Sequence, residues 1–139
     1  MIAYFDTSAL VPLLVEEDAS ARASLIWDEA ERIAGVRLVY AEAHAALAAA
    51  RRSGRIEARG LRQAVAELER MYHQIDVVEV SDALVRRAGA LAEEYALRGY
   101  DAVHLAGAET IAGESSVLVS GDRPLCRAAE SLGIAVAHV

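Results

Sequence analysis

The sequence predicts an α/β/α fold: a central parallel sheet of short strands flanked by helices. Short apolar runs recur along the 139 residues, each closed by turn-forming or polar residues, as expected of buried strands. Between them lie longer stretches with apolar side chains at helical spacing. Strand and helix signals alternate, which favours parallel pairing with crossover helices on both faces. No repeat, low-complexity tract or linker divides the chain, so residues 1–139 are expected to form a single domain.

Ile2 to Phe5 is an apolar run with two aromatics and suits a strand buried on both faces. Asp6 follows at once, then Thr7 and Ser8. A carboxylate at the carboxyl end of a buried strand stands where open α/β sheets bind ligands. Ser8 to Glu17 is expected to be helical, N-capped by Thr7 or Ser8, with Pro12 tolerable only near the first turn. Asp18 is expected to cap a second helix with the stripe Ala21, Leu25, Ile26 and Ile33, ended by Gly35. Val36 to Val39 reads as the second strand and Ala-rich Tyr40 to Ser53 as a helix stopped by Gly54. Ile56 to Gln74 carries Leu61, Val65, Leu68, Met71 and Tyr72 at helical spacing. Asp76 to Val80 is the third strand. Ser81 or Asp82 caps a helix carrying Leu84, Val85, Ala88 and Leu91, which stops near Gly99. Asp101 to Ile111 is helical, Val117 to Val119 a strand, Arg123 to Leu132 a helix, and Ile134 to Val136 the last strand.

Bulk composition removes several function classes. At 55% hydrophobic and 25% charged residues the chain is globular rather than disordered. No apolar run approaches the roughly 20 residues needed to span a bilayer. The N-terminus lacks the basic and apolar regions of a secretion signal, and the single Cys126 forms no internal disulfide. Both point to the cytoplasm. All 14 basic residues are arginine, so phosphate loops and phosphotransfer sites that rely on a lysine are excluded. The net charge of −7 does not advertise nucleic-acid binding. Acids that hold a metal ion lower the formal total, however, because the ion is uncounted.

Four carboxylates stand out by position: Asp6 after the first strand, Glu42 in the first turn after the second, Asp101 opening a helix, and Asp122 just past the fourth strand. Alone, each suits a helix cap or an answer to the helix dipole. Gathered at one sheet edge they would repel one another unless a cation held them. Carboxylate oxygens without clustered His or Cys suit Mg²⁺ or Mn²⁺ rather than structural zinc.

The motifs Phe5-Asp-Thr-Ser-Ala-Leu10, Tyr40-Ala-Glu42, Tyr100-Asp-Ala-Val-His-Leu-Ala106 and Ser120-Gly-Asp-Arg123 together resemble the PIN-domain ribonucleases, in particular the VapC-type toxins of toxin–antitoxin pairs. The resemblance covers essentially the whole chain in order, spacing and length. It implies a PIN-like domain whose acidic site is Asp6, Glu42, Asp101 and Asp122, with Asp6 and Asp101 chiefly holding Mg²⁺ or Mn²⁺ and the other two completing the shell directly or through water. Ser8 and Ser120 match small hydroxyls that the family keeps near the site; Thr is common where Ser120 stands. His104 is read as a packing or hydrogen-bonding residue, not a ligand.

The implied activity is endonucleolytic hydrolysis of RNA by a metal-activated water, leaving a 5′-phosphate and a 3′-hydroxyl. The implied partners are a small VapB-like antitoxin and a second copy in a homodimer. Arg123, beside Asp122, and the basic run Arg51, Arg52, Arg55, Arg59 and Arg62, of which the first three are singled out, are candidate RNA contacts; a solvated helix surface accounts for that run equally well. Leu13, Leu14, Leu25 and Trp27 suit either core or a partner groove. Two other readings stay open: a PIN-like binding module whose acids serve only as caps, and a PIN-type nuclease acting on other nucleic acid.

Overall fold

A computed structural model describes residues 1–139. β1 (Ile2–Phe5) is the middle strand of a five-stranded sheet with order β3-β2-β1-β4-β5. Its neighbours are β2 (Arg32–Val36), which pairs in turn with β3 (Ile75–Val78), and β4 (Ser116–Ser120), which pairs with β5 (Val136–His138). Every pairing is parallel.

Alternation along the central strands divides the core. Ala3 and Phe5 of β1, Ile33 of β2 and Val119 of β4 face one layer; Tyr4, Ala34, Val36 and Leu118 face the other. The first layer comprises α1 (Thr7–Leu10), α2 (Ser20–Glu29), α3 (Leu38–Arg52) and α4 (Ala58–Tyr72), packed through Leu10, Ile26, Leu47, Leu68 and Met71. The second comprises α5 (Asp82–Tyr95), α6 (Gly99–Thr110) and α7 (Arg123–Ser131), packed through Leu84, Leu91, Leu105 and Leu125. Burying both faces of a parallel sheet in this way gives the expected α/β/α arrangement.

Several boundaries differ from the sequence reading, each for a physical reason. The expected helix 8–17 is one short turn, α1, followed by a 3₁₀ turn at Val11–Leu13. Pro12 lacks the donor that a continuing helix would use. Its N-cap is Asp6, not Thr7 or Ser8. Ser20 follows an uncapped Ala19, so Asp18 is not the N-cap of α2. Ile33 and Gly35 lie within β2, not at the end of a helix, because Ile33 pairs with both Ala3 and Ile75. A Cβ on Gly35 would stand 3.3 Å from the Phe5 carbonyl oxygen, so glycine suits this close strand. Val39, assigned to a strand, is buried in α3 instead, and Glu42 lies in the second turn of that helix. Strand β5 starts two residues later than expected, at Val136. α5 ends at Tyr95 with Ala96 in the left-handed region, φ 53°, rather than at Gly99. Trp27 is half-buried and packs edge-on against Phe5 at 5.2 Å, while Leu25 is exposed.

Candidate active site

The chain runs outward from β1 through β2 to β3, then returns to the other side of β1 at β4. The gap between the carboxyl ends of β1 and β4 is therefore the topological switch point of the sheet, where neighbouring connections diverge and leave a crevice. Asp6 follows β1 there and Asp122 lies two residues beyond β4.

A cavity of about 440 Å³ occupies this edge, and Asp6, Glu42, Asp101 and Asp122 all line it. α3 brings Glu42 and the start of α6 brings Asp101. Thr7, Ser8, Glu17, Arg55, Arg98 and His104 line it too, so five carboxylates face two guanidinium groups.

Asp6 is almost fully buried and heavily bonded. The Ser8 hydroxyl donates to Oδ1 at 2.8 Å and to Oδ2 at 2.9 Å, and the Ser120 hydroxyl donates to Oδ2 at 3.0 Å. The Ala9 backbone N–H donates to Oδ1 at 3.1 Å, making Asp6 the N-cap of α1. The two hydroxyls are themselves held, Ser8 Oγ by the Gly121 N–H at 2.8 Å and Ser120 Oγ by the Asp122 N–H at 3.0 Å. Burial pushes the Asp6 carboxyl above its ordinary range, opposed by nearby His104 and by these donors. Ser8 and Ser120 thus lie beside the first acid, as the sequence reading expected.

Asp122 caps α7 through Oδ1, which accepts from the Leu125 N–H at 2.9 Å. Asp101 caps nothing. Arg98, in the N-cap position of α6, donates to Asp101 Oδ2 at 2.8 Å and to Asp122 Oδ2 at 3.3 Å, laying one guanidinium across two acids. Glu42 Oε1 is held by the buried His104 at 2.7 Å. Glu42 Oε2 and Asp101 Oδ1 carry no hydrogen bond from the protein.

The acids share a wall, but no three of the Asp, Glu, His and Cys side chains close into a cage around a single point. The donors nevertheless fit a hard divalent cation. They are oxygens only, two remain uncommitted, and a guanidinium already neutralises part of the cluster. Mg²⁺ keeps several of its waters and needs only one or two carboxylates directly, so an open acidic wall suits it better than a closed cage.

The basic residues divide. Arg55 lines the cavity and donates to Glu17 at 2.9 Å. Arg51 and Arg52, in the last turn of α3, and Arg123, in the first turn of α7, are exposed and do not line it. Arg98 and Glu17 were not singled out in the sequence. Arg98 precedes the Tyr100–Ala106 motif by two residues, and only its side chain's reach to Asp122 marks it.

The PIN domain family model matches residues 3–131. The chain is 39% identical over 136 residues to "Ribonuclease VapC45" of Mycobacterium tuberculosis, a match covering 98% of this chain and 94% of that protein. Its fold matches that of PAE2754 from Pyrobaculum aerophilum with a TM-score of 0.68 and 25% identity, covering 92% of this chain and 84% of the other. It also matches VapBC-5 of Mycobacterium tuberculosis, a member of the VapBC family of toxin–antitoxin systems. There the TM-score is 0.65 at 17% identity, covering 99% and 98% of the two chains.

Proposed function

The chain belongs to the PIN-domain family, and on that premise we propose that it is a divalent-metal-dependent endoribonuclease acting as the toxin of a toxin–antitoxin pair. One observation carries the reading: Asp6, Glu42, Asp101 and Asp122, drawn from four separate places in the chain, line one cavity at the switch point of the sheet.

Mg²⁺ or Mn²⁺, bound there, supplies Lewis acidity toward the scissile phosphate and lowers the pKa of a water nucleophile. Asp6 and Asp101 would hold the ion directly, and Glu42 and Asp122 would complete its surroundings, directly or through water. Ser8 and Ser120 keep Asp6 aimed, and Glu42 Oε2 and Asp101 Oδ1, which carry no hydrogen bond from the protein, are free to accept a proton or a ligand bond as well. Arg98 holds Asp101 and Asp122; were a cation to take those carboxylates, its exposed guanidinium would be free for a phosphate. Arg55, Arg51, Arg52 and Arg123 extend the phosphate-binding surface outward. A small antitoxin and a second copy of the chain are the proposed protein partners.

Cleavage of end-labelled RNA with Mg²⁺ or Mn²⁺ tests the reading. The unmodified protein should cut only with metal, leaving 5′-phosphate ends, while Asp6→Asn and Asp101→Asn should lose activity by on the order of 100-fold or more. Undiminished activity in either variant would sink the assignment.

A binding module without catalysis is the second reading, and one observation favours it: Asp6 and Asp122 do cap helices. Asp101 caps nothing, so it separates the two. Calorimetric titration with Mn²⁺ should detect a site that Asp101→Asn abolishes if the protein is a nuclease, and no such site if the acids serve only as caps.

A further inference from the structure

Behind the acidic wall lies a buried chain of polar groups joining the central strand to Glu42. Tyr4 and His104 are exposed by only 1% and 2%. The Val36 backbone N–H lies 3.3 Å from Tyr4 Oη, which lies 3.2 Å from His104 Nδ1. On the far side of the ring, Nε2 lies 2.7 Å from Glu42 Oε1 and 3.4 Å from Thr7 Oγ1.

Of the two neutral tautomers of His104, these contacts fit one. Tyr4 Oη accepts from Val36, so its own hydrogen is free to point at Nδ1, the neighbouring acceptor. Nδ1 is then the acceptor and Nε2 carries the proton, aimed at the Glu42 carboxylate. The opposite tautomer would set a ring lone pair against a carboxylate at 2.7 Å.

Gly107 makes the chain possible. A Cβ at 107 would stand 2.6 Å from Tyr4 Oη and 2.5 Å from Val36 Cγ1, closer than real atoms approach. One turn of α6 thus supplies both the imidazole and the gap through which the Tyr4 hydroxyl reaches it.

We infer that His104 is a positioning residue, fixed as the Nε2–H tautomer by Tyr4, which holds Glu42 Oε1 so that Oε2 is presented to the cation and its water. The inference rests on the metal-site reading proposed above. It gives the tyrosine of the opening strand and the histidine of the Tyr100–Ala106 motif a joint role in the site, although neither touches the substrate. Partners that orient a ligand in this manner commonly change metal affinity or activity by about 10–100-fold when removed.

Two near-isosteric substitutions separate this role from simple packing. His104→Gln places an amide N–H where Nε2–H stood; His104→Asn keeps only the group facing Tyr4. The expected result is that His104→Asn weakens Mn²⁺ binding, measured by calorimetry, and lowers kcat for RNA cleavage by about 10–100-fold. KM for RNA should change little, and His104→Gln should recover most of the loss. Equal losses in both variants, or an unaltered His104→Asn, would overturn the inference.

If neither variant folds, as read by circular dichroism, the ring-nitrogen NMR shifts of His104 in the unmodified, metal-free protein decide. A protonated Nε2 with an unprotonated Nδ1 supports the assignment, and a protonated Nδ1 overturns it. An Asp101→Asn control separates the two levels. If that variant binds Mn²⁺ and cleaves normally, the metal-site reading has failed, while the nitrogen shifts still test the hydrogen-bonded chain.

Discussion

Asp6 illustrates how one residue can serve both folding and chemistry at opposing energetic cost. Its carboxylate caps α1 and accepts two hydroxyls, which favours its presence, yet burial disfavours its charge. Its folded pKa lies above the ordinary 3.8, so the folded state binds the proton more tightly than the unfolded chain does. Ionisation of Asp6 therefore opposes folding. That cost is absent below the ordinary value, grows as pH rises toward the raised folded value, and stays constant above it. Asn removes an acceptor from the hydroxyl donors as well as the charge, so it is the pH dependence that tests the cost: the melting temperature of metal-free Asp6→Asn should gain on that of the unmodified protein as pH rises from 4 to 7. Thermal unfolding in a chelator at the two pH values checks this; a difference that moves against the variant as pH rises would contradict it. Added Mg²⁺ should raise the melting temperature of the unmodified protein and not of Asp6→Asn, because only a ligand that binds the folded state stabilises it. At this scale much was legible. Asp6, Glu42, Asp101 and Asp122 were picked out by their places next to strands and helix starts. Arg98 was not, because its pairing with Asp122 depends on where β4 ends beside α6.

At the scale of elements, α6 carries an unusual load: Asp101 and His104 toward the cavity, Leu105 and Ala106 in the core, and Gly107 against the sheet. A glycine inside a helix costs about 1 kcal/mol relative to alanine by propensity alone, so Gly107→Ala would stabilise an isolated helix. Here the added methyl would meet Tyr4 and Val36 within van der Waals distance, and overpacking of this kind costs about 1–3 kcal/mol. Gly107→Ala is therefore expected to lower the denaturant midpoint and to impair cleavage along with it by displacing Tyr4 from His104. A stabilised, fully active variant would show that β2 and α6 separate without cost. The element boundaries explain where sequence reasoning stopped. Periodicity placed Ile33 on a helix ended by Gly35, because the spacing of Ala21, Leu25, Ile26 and Ile33 suits one. Only the pairing of Ile33 with Ala3 and Ile75 makes that segment a strand. Pro12 carried a readable signal, and the broken first helix is its consequence.

For the whole molecule, the balance of −7 and a cavity of five carboxylates would repel the proposed RNA substrate unless a bound cation and the arginines offset them. Arg55 lines the cavity, and Arg51 and Arg52 are exposed in the last turn of α3 nearby in sequence. Replacing all three by Gln should flatten the dependence of RNA affinity on salt, by about 0.7 in the log–log slope for each phosphate of a single strand that is no longer neutralised. Fluorescence anisotropy with a catalytically silent Asp101→Asn background measures it, and an unchanged slope would assign the run to solvent. No helix is long and apolar enough to cross a membrane, in keeping with the composition. By itself the sequence determined the α/β class, the parallel sheet and the four acids that line the cavity, since these follow from local periodicity and from carboxylates placed at element ends. Tertiary structure alone decided which of the arginines meets the acids, which strand Ile33 joins, and that Tyr4, His104 and Glu42 form one chain. Those contacts join residues 100 and 62 positions apart, and separations of that length leave no local pattern to read.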